Sequence, residues 1–175
     1  MITGQFLEYS TGNFFDEMFD MGTELLTRPH YEKVLKRLSA LTPSEFEEKR
    51  SQAVSSFLEH GVTFTVYGDA EGTERIFPFD LIPRVIPDEE WTIIDRGLKQ
   101  RILALNLFLH DIYHEGRILQ DGVIPREIVE TCPHFRKEII GFDVPKDIYV
   151  HVCGSDLIRD DKGTYMVLED NGRCP

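Results

Sequence analysis

The sequence predicts an α+β (mixed α/β) fold in which helices and a small hairpin precede a C-terminal antiparallel β-hairpin. Three observations predict it. Apolar residues recur at steps of three or four over residues 91–112, apolar and polar residues alternate over residues 62–67, and two apolar runs flank the turn-forming Asp160-Asp-Lys-Gly163. A chain of 175 residues is long enough to bury a core in one domain or one and a half.

Residues 1–41 are predicted to form an N-terminal arm and a helical segment. Residues 1–12 show no periodicity and are expected to be irregular. Residues 13–26 are expected to form a short, very apolar helix or helix-like turn that packs against another part of the chain, since they combine acids with Phe14, Phe15, Met18, Phe19 and Met21. An exposed apolar helix is typical of an interface. The segment therefore favours a second hypothesis, that the chain is a non-catalytic scaffold or partner-binding domain.

The next patterns indicate a helix followed by a hairpin. Thr42-Pro-Ser-Glu45 is typical of a helix start, with Thr at the cap, Pro in the first turn and Glu reaching back. Gly61 is typical of a helix end. Residues 62–67 and 75–77 are expected to pair as strands across a turn at residues 68–72.

Asp88 is predicted to begin the longest helix. His110 and His114 lie one turn apart on it and are expected to be a surface pair, since the Glu of His-Glu-x-x-His is absent. Pro125 is predicted to open a short helix that ends near Thr131. The basic residues of the long helix are expected on a solvated face: Arg96, Lys99 and Arg101. Its apolar stripe is expected to be core: Trp91, Ile94, Leu98, Ile102, Leu105, Leu109 and Ile112.

Three oxygen donors lie on the strands of the C-terminal hairpin, Asp156, Glu169 and Asn171. If Asp160 pairs with Gly163, Asp156 faces Val167, and the three donors share one face because side chains alternate along a strand. Asp156 and Glu169 are then diagonal neighbours, about 7–8 Å apart at the backbone. A three-residue loop would instead shift the register by one residue and put Asp156 on the opposite face.

Carboxylates and a side-chain amide are hard ligands, which favour Mg²⁺ over zinc at this hairpin. Mg²⁺ commonly binds through one or two carboxylates together with substrate phosphates. Arg173, two residues after Asn171, is expected to point towards those phosphates and hold a pair of oxygens with its guanidinium. Arg159 lies on the face opposite Asp156 and is expected to be an ordinary strand-edge charge.

Composition limits the partners. The chain is 41% hydrophobic and 29% charged, as in a globular protein, and its formal net charge of −12 disfavours nucleic acids and anionic membranes. ATP fits this charge only if Mg²⁺ and a basic partner segment neutralise the triphosphate.

The sequence predicts a cytoplasmic location. It shows no secretory signal and no apolar run long enough to span a bilayer, and its number of cysteines is odd.

The order of these motifs resembles a known family. Asp156 followed by Glu169-Asp-Asn-Gly-Arg-Cys-Pro175 resembles the Mg²⁺-binding end of ATP-grasp ligases such as D-alanine–D-alanine ligase. More closely, the chain is similar to the N-terminal part of the bacterial circularly permuted ATP-grasp proteins, relatives of glutathionylspermidine synthase. Further motifs carry that likeness back to Phe79: residues 79–84, 90–91, 96–101, 104–109 and 121–125. The resemblance as a whole covers most of the chain from about Phe14 onward.

The resemblance implies that residues 42–175 are the N-terminal portion of a permuted ATP-grasp domain, truncated at its C-terminal end. It assigns Mg²⁺ binding to Asp156, Glu169 and Asn171. It implies ATP as cofactor, with Asn171 contacting it; the position of Arg173 two residues further on predicts that Arg173 also contacts ATP and serves catalysis. It also implies a ligase that joins small-molecule or peptide-like carboxylates to amines through an acyl-phosphate. Because family members continue with Ser-Gly after the proline, the chain by itself is expected to be inactive.

Overall fold

The computed structural model describes residues 9–10, 12–21, 25–65 and 74–173, and the chain divides into two compact units, Met1–Pro87 and Asp88–Pro175. The α+β class is confirmed. Within the described residues, the strands form three separate two-stranded sheets, each antiparallel, and the longest elements are helices. The predicted boundary between residues 41 and 42 stays a prediction.

The first unit contains two short hairpins on either side of two helices. Strand β1 (Phe19–Met21) pairs with β2 (Leu25–Thr27), and β3 (Thr63–Thr65) pairs with β4 (Glu74–Ile76). Between them lie a 3₁₀ turn (Pro29–Tyr31) and helices α1 (Glu32–Leu38) and α2 (Pro43–Glu59). The predicted second hairpin is confirmed, while its predicted turn lies outside the described residues.

Helix α2 begins where the sequence predicts. The Thr42 hydroxyl accepts the backbone N–H of Glu45, and the Glu45 carboxylate accepts the backbone N–H of Thr42, so both ends of the capping box are made. Gly61 follows the helix with a φ of +65°, a conformation that glycine adopts without steric cost.

Of the helix or helix-like turn predicted at residues 13–26, the helix is wrong: residues 13–21 and 25–26, the part of this segment that the structure describes, form a turn and strands. The Asp16 carboxylate accepts the backbone N–H groups of Met18 and Phe19 at 2.8 and 2.7 Å, which makes a turn, and the chain then enters β1. Phe19 is 1% exposed and Met18 is buried. The observation that favoured a scaffold or partner-binding role, an exposed apolar helix, is therefore not found here.

The core of the first unit forms around Phe19 and Tyr31. Both side chains are almost fully buried and cluster with Met18 and Leu38. The Tyr31 hydroxyl accepts the backbone N–H of Val85 at 2.8 Å, which satisfies the polar end of a buried ring.

The second unit is built on the long helix α3 (Asp88–Tyr113), whose predicted start is confirmed. Two shorter helices follow, α4 (Arg117–Gln120) and α5 (Arg126–Glu130), and the latter confirms the helix predicted after Pro125. Two 3₁₀ turns, Lys137–Ile139 and Pro145–Asp147, lead to β5 (Gly154–Arg159) and β6 (Tyr165–Asn171). Of the described helices, α3 included, none has the length and apolarity to cross a membrane.

One face of α3 packs against the C-terminal hairpin. Ile94 is buried, and an apolar cleft between the helix and the hairpin is lined by Ile93, Ile94, Gly97 and Leu98 from α3 and by Leu157, Tyr165, Met166 and Val167 from the strands. The predicted core role of Trp91 is wrong, because this residue lies in the first turn of the helix and is 52% exposed.

A charged contact fixes the turn end of the hairpin to the start of α3. Arg159 donates to both carboxylate oxygens of Glu90 at 2.7 and 3.0 Å, and the Tyr165 hydroxyl donates to the same carboxylate at 2.9 Å. The Arg159 guanidinium also lies 4.5 Å from the centre of the Tyr165 ring. The Arg159 side chain is 8% exposed. The predicted role of Arg159 as an ordinary strand-edge charge is therefore wrong.

Replacing Glu90→Gln should lower the free energy of unfolding by about 2 kcal/mol, because the nearly buried Arg159 loses its charged partner. Urea denaturation measures the change. Glu89→Gln is the matched control, since Glu89 is an exposed acid in the same first helical turn and its loss should cost about 0.5 kcal/mol or less. Equal losses in the two variants would contradict the role assigned to this contact.

Candidate metal centre

The predicted oxygen donors come together on one exposed face of the C-terminal hairpin. The Asn171 side-chain amide nitrogen lies 3.2 Å from Asp156 Oδ2 and 3.3 Å from Glu169 Oε1. Asp156 and Glu169 are exposed, and Asn171 is half-buried. One amide therefore contacts both carboxylates.

The strand register differs from the predicted one. Asp156 was predicted to face Val167, with Glu169 diagonal to it; Asp156 instead pairs directly with Glu169. The loop is the three-residue alternative, closed by a hydrogen bond from the Asp160 backbone N–H to the Thr164 carbonyl, with Gly163 at a φ of +85°. The observed pairs are, from the turn outwards, Arg159 with Tyr165, Leu157 with Val167, Asp156 with Glu169 and Gly154 with Asn171.

A β-bulge restores the shared face that the longer loop would have removed. The register shifts between Asp156 and Leu157, and Leu168 on β6 is the extra residue. The loop moves the pairing by one residue and the bulge moves it by one more. Because side chains alternate along a strand, two such shifts return Asp156 to the face of Glu169 and Asn171. The prediction of a common face is right, although the register used to reach it is wrong.

The bulge has a structural cause on the inner face of the hairpin. Tyr165 and Asp170 are five positions apart on β6, an odd separation that would put their side chains on opposite faces of a regular strand. Both contact residues of α3, Tyr165 through Glu90 and Asp170 through Arg101. The extra residue Leu168 allows both contacts, and its own side chain is 66% exposed.

Asp170 lies at the centre of a polar network behind the three donors. Its carboxylate accepts the Ser155 hydroxyl at 2.7 Å and the Arg101 Nε–H at 2.5 Å. The hydroxyl of Ser155 and the guanidinium of Arg101 hold the pKa of Asp170 below its usual range, against the opposing effect of burial. The negative charge of Asp170 is therefore compensated by Arg101 of the helix and by a hydrogen bond from Ser155 of the hairpin.

Sequence reasoning missed this network. Arg101 is exposed, as predicted for a solvated face, but its contact with Asp170 was not predicted. The sequence does contain a signal for it, because Arg101 follows the core residue Ile94 by seven positions and so lies on the same side of the helix. Lys99, by contrast, pairs with Asp95 on the helix surface.

The electrostatics of the outer face favour a cation. Asp156 and Glu169 are like charges directly opposite each other, an arrangement that destabilises an antiparallel pair. The Asn171 amide donates towards both carboxylates in this structure. An amide that rotates by 180° would present its oxygen instead, since the two ends of the group are similar in size. The donor set then suits a hard divalent ion.

Asn106, His110 and His114 of the second unit make contacts that stabilise the fold. The Asn106 side-chain oxygen accepts the backbone N–H groups of Tyr149 and Val150 at 2.7 and 3.0 Å, which attaches the segment before β5 to α3. His110 and His114 stack with ring centres 4.2 Å apart. Among the described residues, no cluster of three or more His, Cys, Asp or Glu side chains could hold a metal ion.

The predicted phosphate-binding residue Arg173 is exposed and lies next to His134. Its Nη1 is 3.1 Å from His134 Nδ1. Its catalytic and ATP-binding role stays a prediction, as do the metal-binding roles of Asp156, Glu169 and Asn171.

Comparison with known proteins identifies the family. The family described as circularly permuted ATP-grasp type 2 matches residues 83–175, which include α3 and the hairpin. An uncharacterized protein of Synechocystis sp. is 43% identical over 98% of this chain and 35% of its own length. An uncharacterized protein of Mycobacterium tuberculosis is 43% identical over 92% of this chain and 28% of its own.

A third relative carries a functional name. A protein of Frankia casuarinae, named "Putative glutamate--cysteine ligase 2-2", is 37% identical over 99% of this chain and 20% of its own length. The chain thus spans about a third or less of the length of these relatives. Because the family match covers more than half of the chain and the relatives are similar over nearly all of it, this chain belongs to the circularly permuted ATP-grasp family.

Proposed function

We propose that this chain supplies the Mg²⁺-ATP-binding hairpin of an ATP-dependent ligase that joins a carboxylate to an amine. The observation that carries the proposal is the direct pairing of Asp156 with Glu169, with the Asn171 amide in contact with both. Two carboxylates opposite each other on an exposed strand pair are unfavourable unless a cation or a donor lies between them. The family membership supports ATP as the second ligand.

The three side chains would hold Mg²⁺ through oxygen atoms only. Two carboxylates and one amide supply part of an octahedral shell, and Mg²⁺ normally completes it with water and substrate phosphates. The phosphates of ATP would take the remaining positions. When bound, Mg²⁺ neutralises charge that builds on the transferring phosphoryl group. Asp156, Glu169 and Asn171 position that charge, and Arg173 would bind a pair of phosphate oxygens.

The reaction proposed for the whole ligase is formation of an amide through an acyl-phosphate. The family resemblance implies attack of a substrate carboxylate on the γ-phosphate of ATP, followed by displacement of phosphate from the acyl-phosphate by an amine. The name of the Frankia relative is of the same kind, since a glutamate–cysteine ligase joins a carboxylate to an amine. Small-molecule or peptide-like carboxylates and amines are therefore the proposed substrates. The formal net charge of −12 fits a site whose anionic cofactor arrives with a divalent cation.

Binding of Mn²⁺, an EPR-active substitute for Mg²⁺, tests the site in the 175-residue chain. Glu169→Gln combined with Asn171→Ala should raise the dissociation constant by at least about tenfold, because two of the three ligands are lost. Asp161→Asn is the matched control, since it removes an exposed acid from the loop of the same hairpin. In a parallel calorimetric titration with Mg²⁺ and ATP, the heat of binding should be seen for the unaltered chain and for Asp161→Asn and should be absent for the double variant. Equal Mn²⁺ affinity in the double variant and the unaltered chain would overturn the proposal.

Two deletion variants test whether the shared face determines binding. Deleting Leu168 removes the bulge and leaves a regular ladder in which Asp156 still faces Glu169, so Mn²⁺ affinity should change by less than about threefold. Deleting Ile158 together with Leu168 keeps the pairing near the turn but brings Asp156 opposite Val167 in a regular ladder, on the face away from Glu169 and Asn171, and affinity should fall by at least about tenfold. Ile158 and Leu168 are both exposed aliphatic residues of the hairpin. The same loss in both variants would show that the common face is not what matters.

A further inference from the structure

We propose that Asp170 is a positioning residue for the three oxygen donors, held in place by Arg101 and Ser155, and that it does not itself bind the cation. This inference rests on the proposed Mg²⁺ site. Asp170 lies between Glu169 and Asn171 in the sequence, so three consecutive residues carry side-chain oxygens. Because side chains alternate along a strand, Glu169 and Asn171 face outwards and Asp170 faces α3.

The network of Asp170 lies directly behind the donors. Ser155 precedes Asp156 on β5, and it is the cross-strand partner of Asp170 on β6. The hydrogen bond of 2.7 Å between their side chains therefore joins the neighbours of all three donors. Any movement of this pair along the strands would move Asp156 relative to Glu169 and Asn171.

The bulge explains why the hydrogen bonds of Asp170 are needed to fix the position of the donors. A bulge interrupts the hydrogen-bond ladder, so the pairing on its far side is not fixed by the turn. Three residue pairs of the described strands lie beyond the bulge, and two of them, Asp156 with Glu169 and Gly154 with Asn171, contain the donors. Arg101 reaches Asp170 from α3 and thereby attaches this short end of the hairpin to a rigid element. First-shell ligands are commonly oriented by hydrogen bonds of this kind from residues behind them.

The ion pair also removes a competing ligand. A free Asp170 would be a third acid at the same end of the hairpin, able to draw the cation to the wrong face. The Asp170 carboxylate is instead occupied by a hydroxyl and a guanidinium, and only 11% of its side chain is exposed. The carboxylates available to bind the cation at this end of the hairpin are then those of the outer pair, Asp156 and Glu169.

The contact of Glu90 with Arg159 provides a control within the same hairpin. It joins α3 to the hairpin as the Arg101 contact does, but on the turn side of the bulge. A merely structural role for Asp170 would make the two contacts equivalent with respect to the cation. A positioning role makes only the Arg101 contact affect it.

Mn²⁺ affinity, measured by EPR alongside urea denaturation, separates these roles in the 175-residue chain. Asp170→Asn and Arg101→Gln should each raise the dissociation constant by about tenfold, with Arg101→Lys recovering part of the loss. Glu90→Gln should lower stability but leave the dissociation constant within about twofold. Lys99→Gln, which breaks the surface pair with Asp95 on the same helix, should change neither.

The results distinguish the possible failures. Unchanged affinity in Asp170→Asn, or an equal loss of affinity in Glu90→Gln, would overturn the positioning role while the metal site stands. Tighter binding in Arg101→Gln would show that Asp170 is a ligand that Arg101 restrains, which also overturns it. No Mn²⁺ binding by the unaltered chain would overturn the proposed function, and this inference with it.

Discussion

The orientation of the hairpin on α3 depends on two charged contacts, Glu90 with Arg159 and Arg101 with Asp170. They lie on opposite sides of the bulge at Leu168, so each end of the hairpin has its own attachment to the helix. The apolar cleft lined by Ile94, Leu98 and Val167 lies between the two elements, and apolar contact there does not select a register because it is non-directional. The charged contacts do select one, because hydrogen bonds require particular partners and directions.

This arrangement divides the polar residues of the hairpin by face. The inner face contains matched charges, as in Arg101 with Asp170, and the outer face contains two acids and an amide. Polar groups of the first kind contribute to stability and uniqueness of the fold. Groups of the second kind are unfavourable for folding and are expected at functional sites, where local rules of stability are broken. The contrast between neighbouring residues such as Glu169 and Asp170 is the basis of the proposed division of roles.

Much of the fold could be predicted from the sequence, because local signals decided it. The capping residues Thr42 and Glu45 gave the start of α2, and the apolar stripe gave α3. Prediction failed where a few hydrogen bonds overrode composition, as at Asp16, whose carboxylate turns an apolar segment into a strand entry. The prediction that the three donors share a face is right for a partly fortuitous reason: an unforeseen loop residue and an unforeseen bulge each changed the face of Asp156, and the two changes cancelled. Arg101 was missed since its partner is 69 positions away.

The bulge at Leu168 also affects how related chains should be compared. A strand that has the bulge residue and a strand that lacks it direct the same side chains outwards beyond the bulge. The number of residues between the aspartate and the Glu-x-Asn element can therefore differ by one. A search that demands a fixed interval would overlook such homologues, and an ungapped alignment would match an acid to an apolar residue. Placing a single gap opposite Leu168 keeps chemically equivalent positions in the same column.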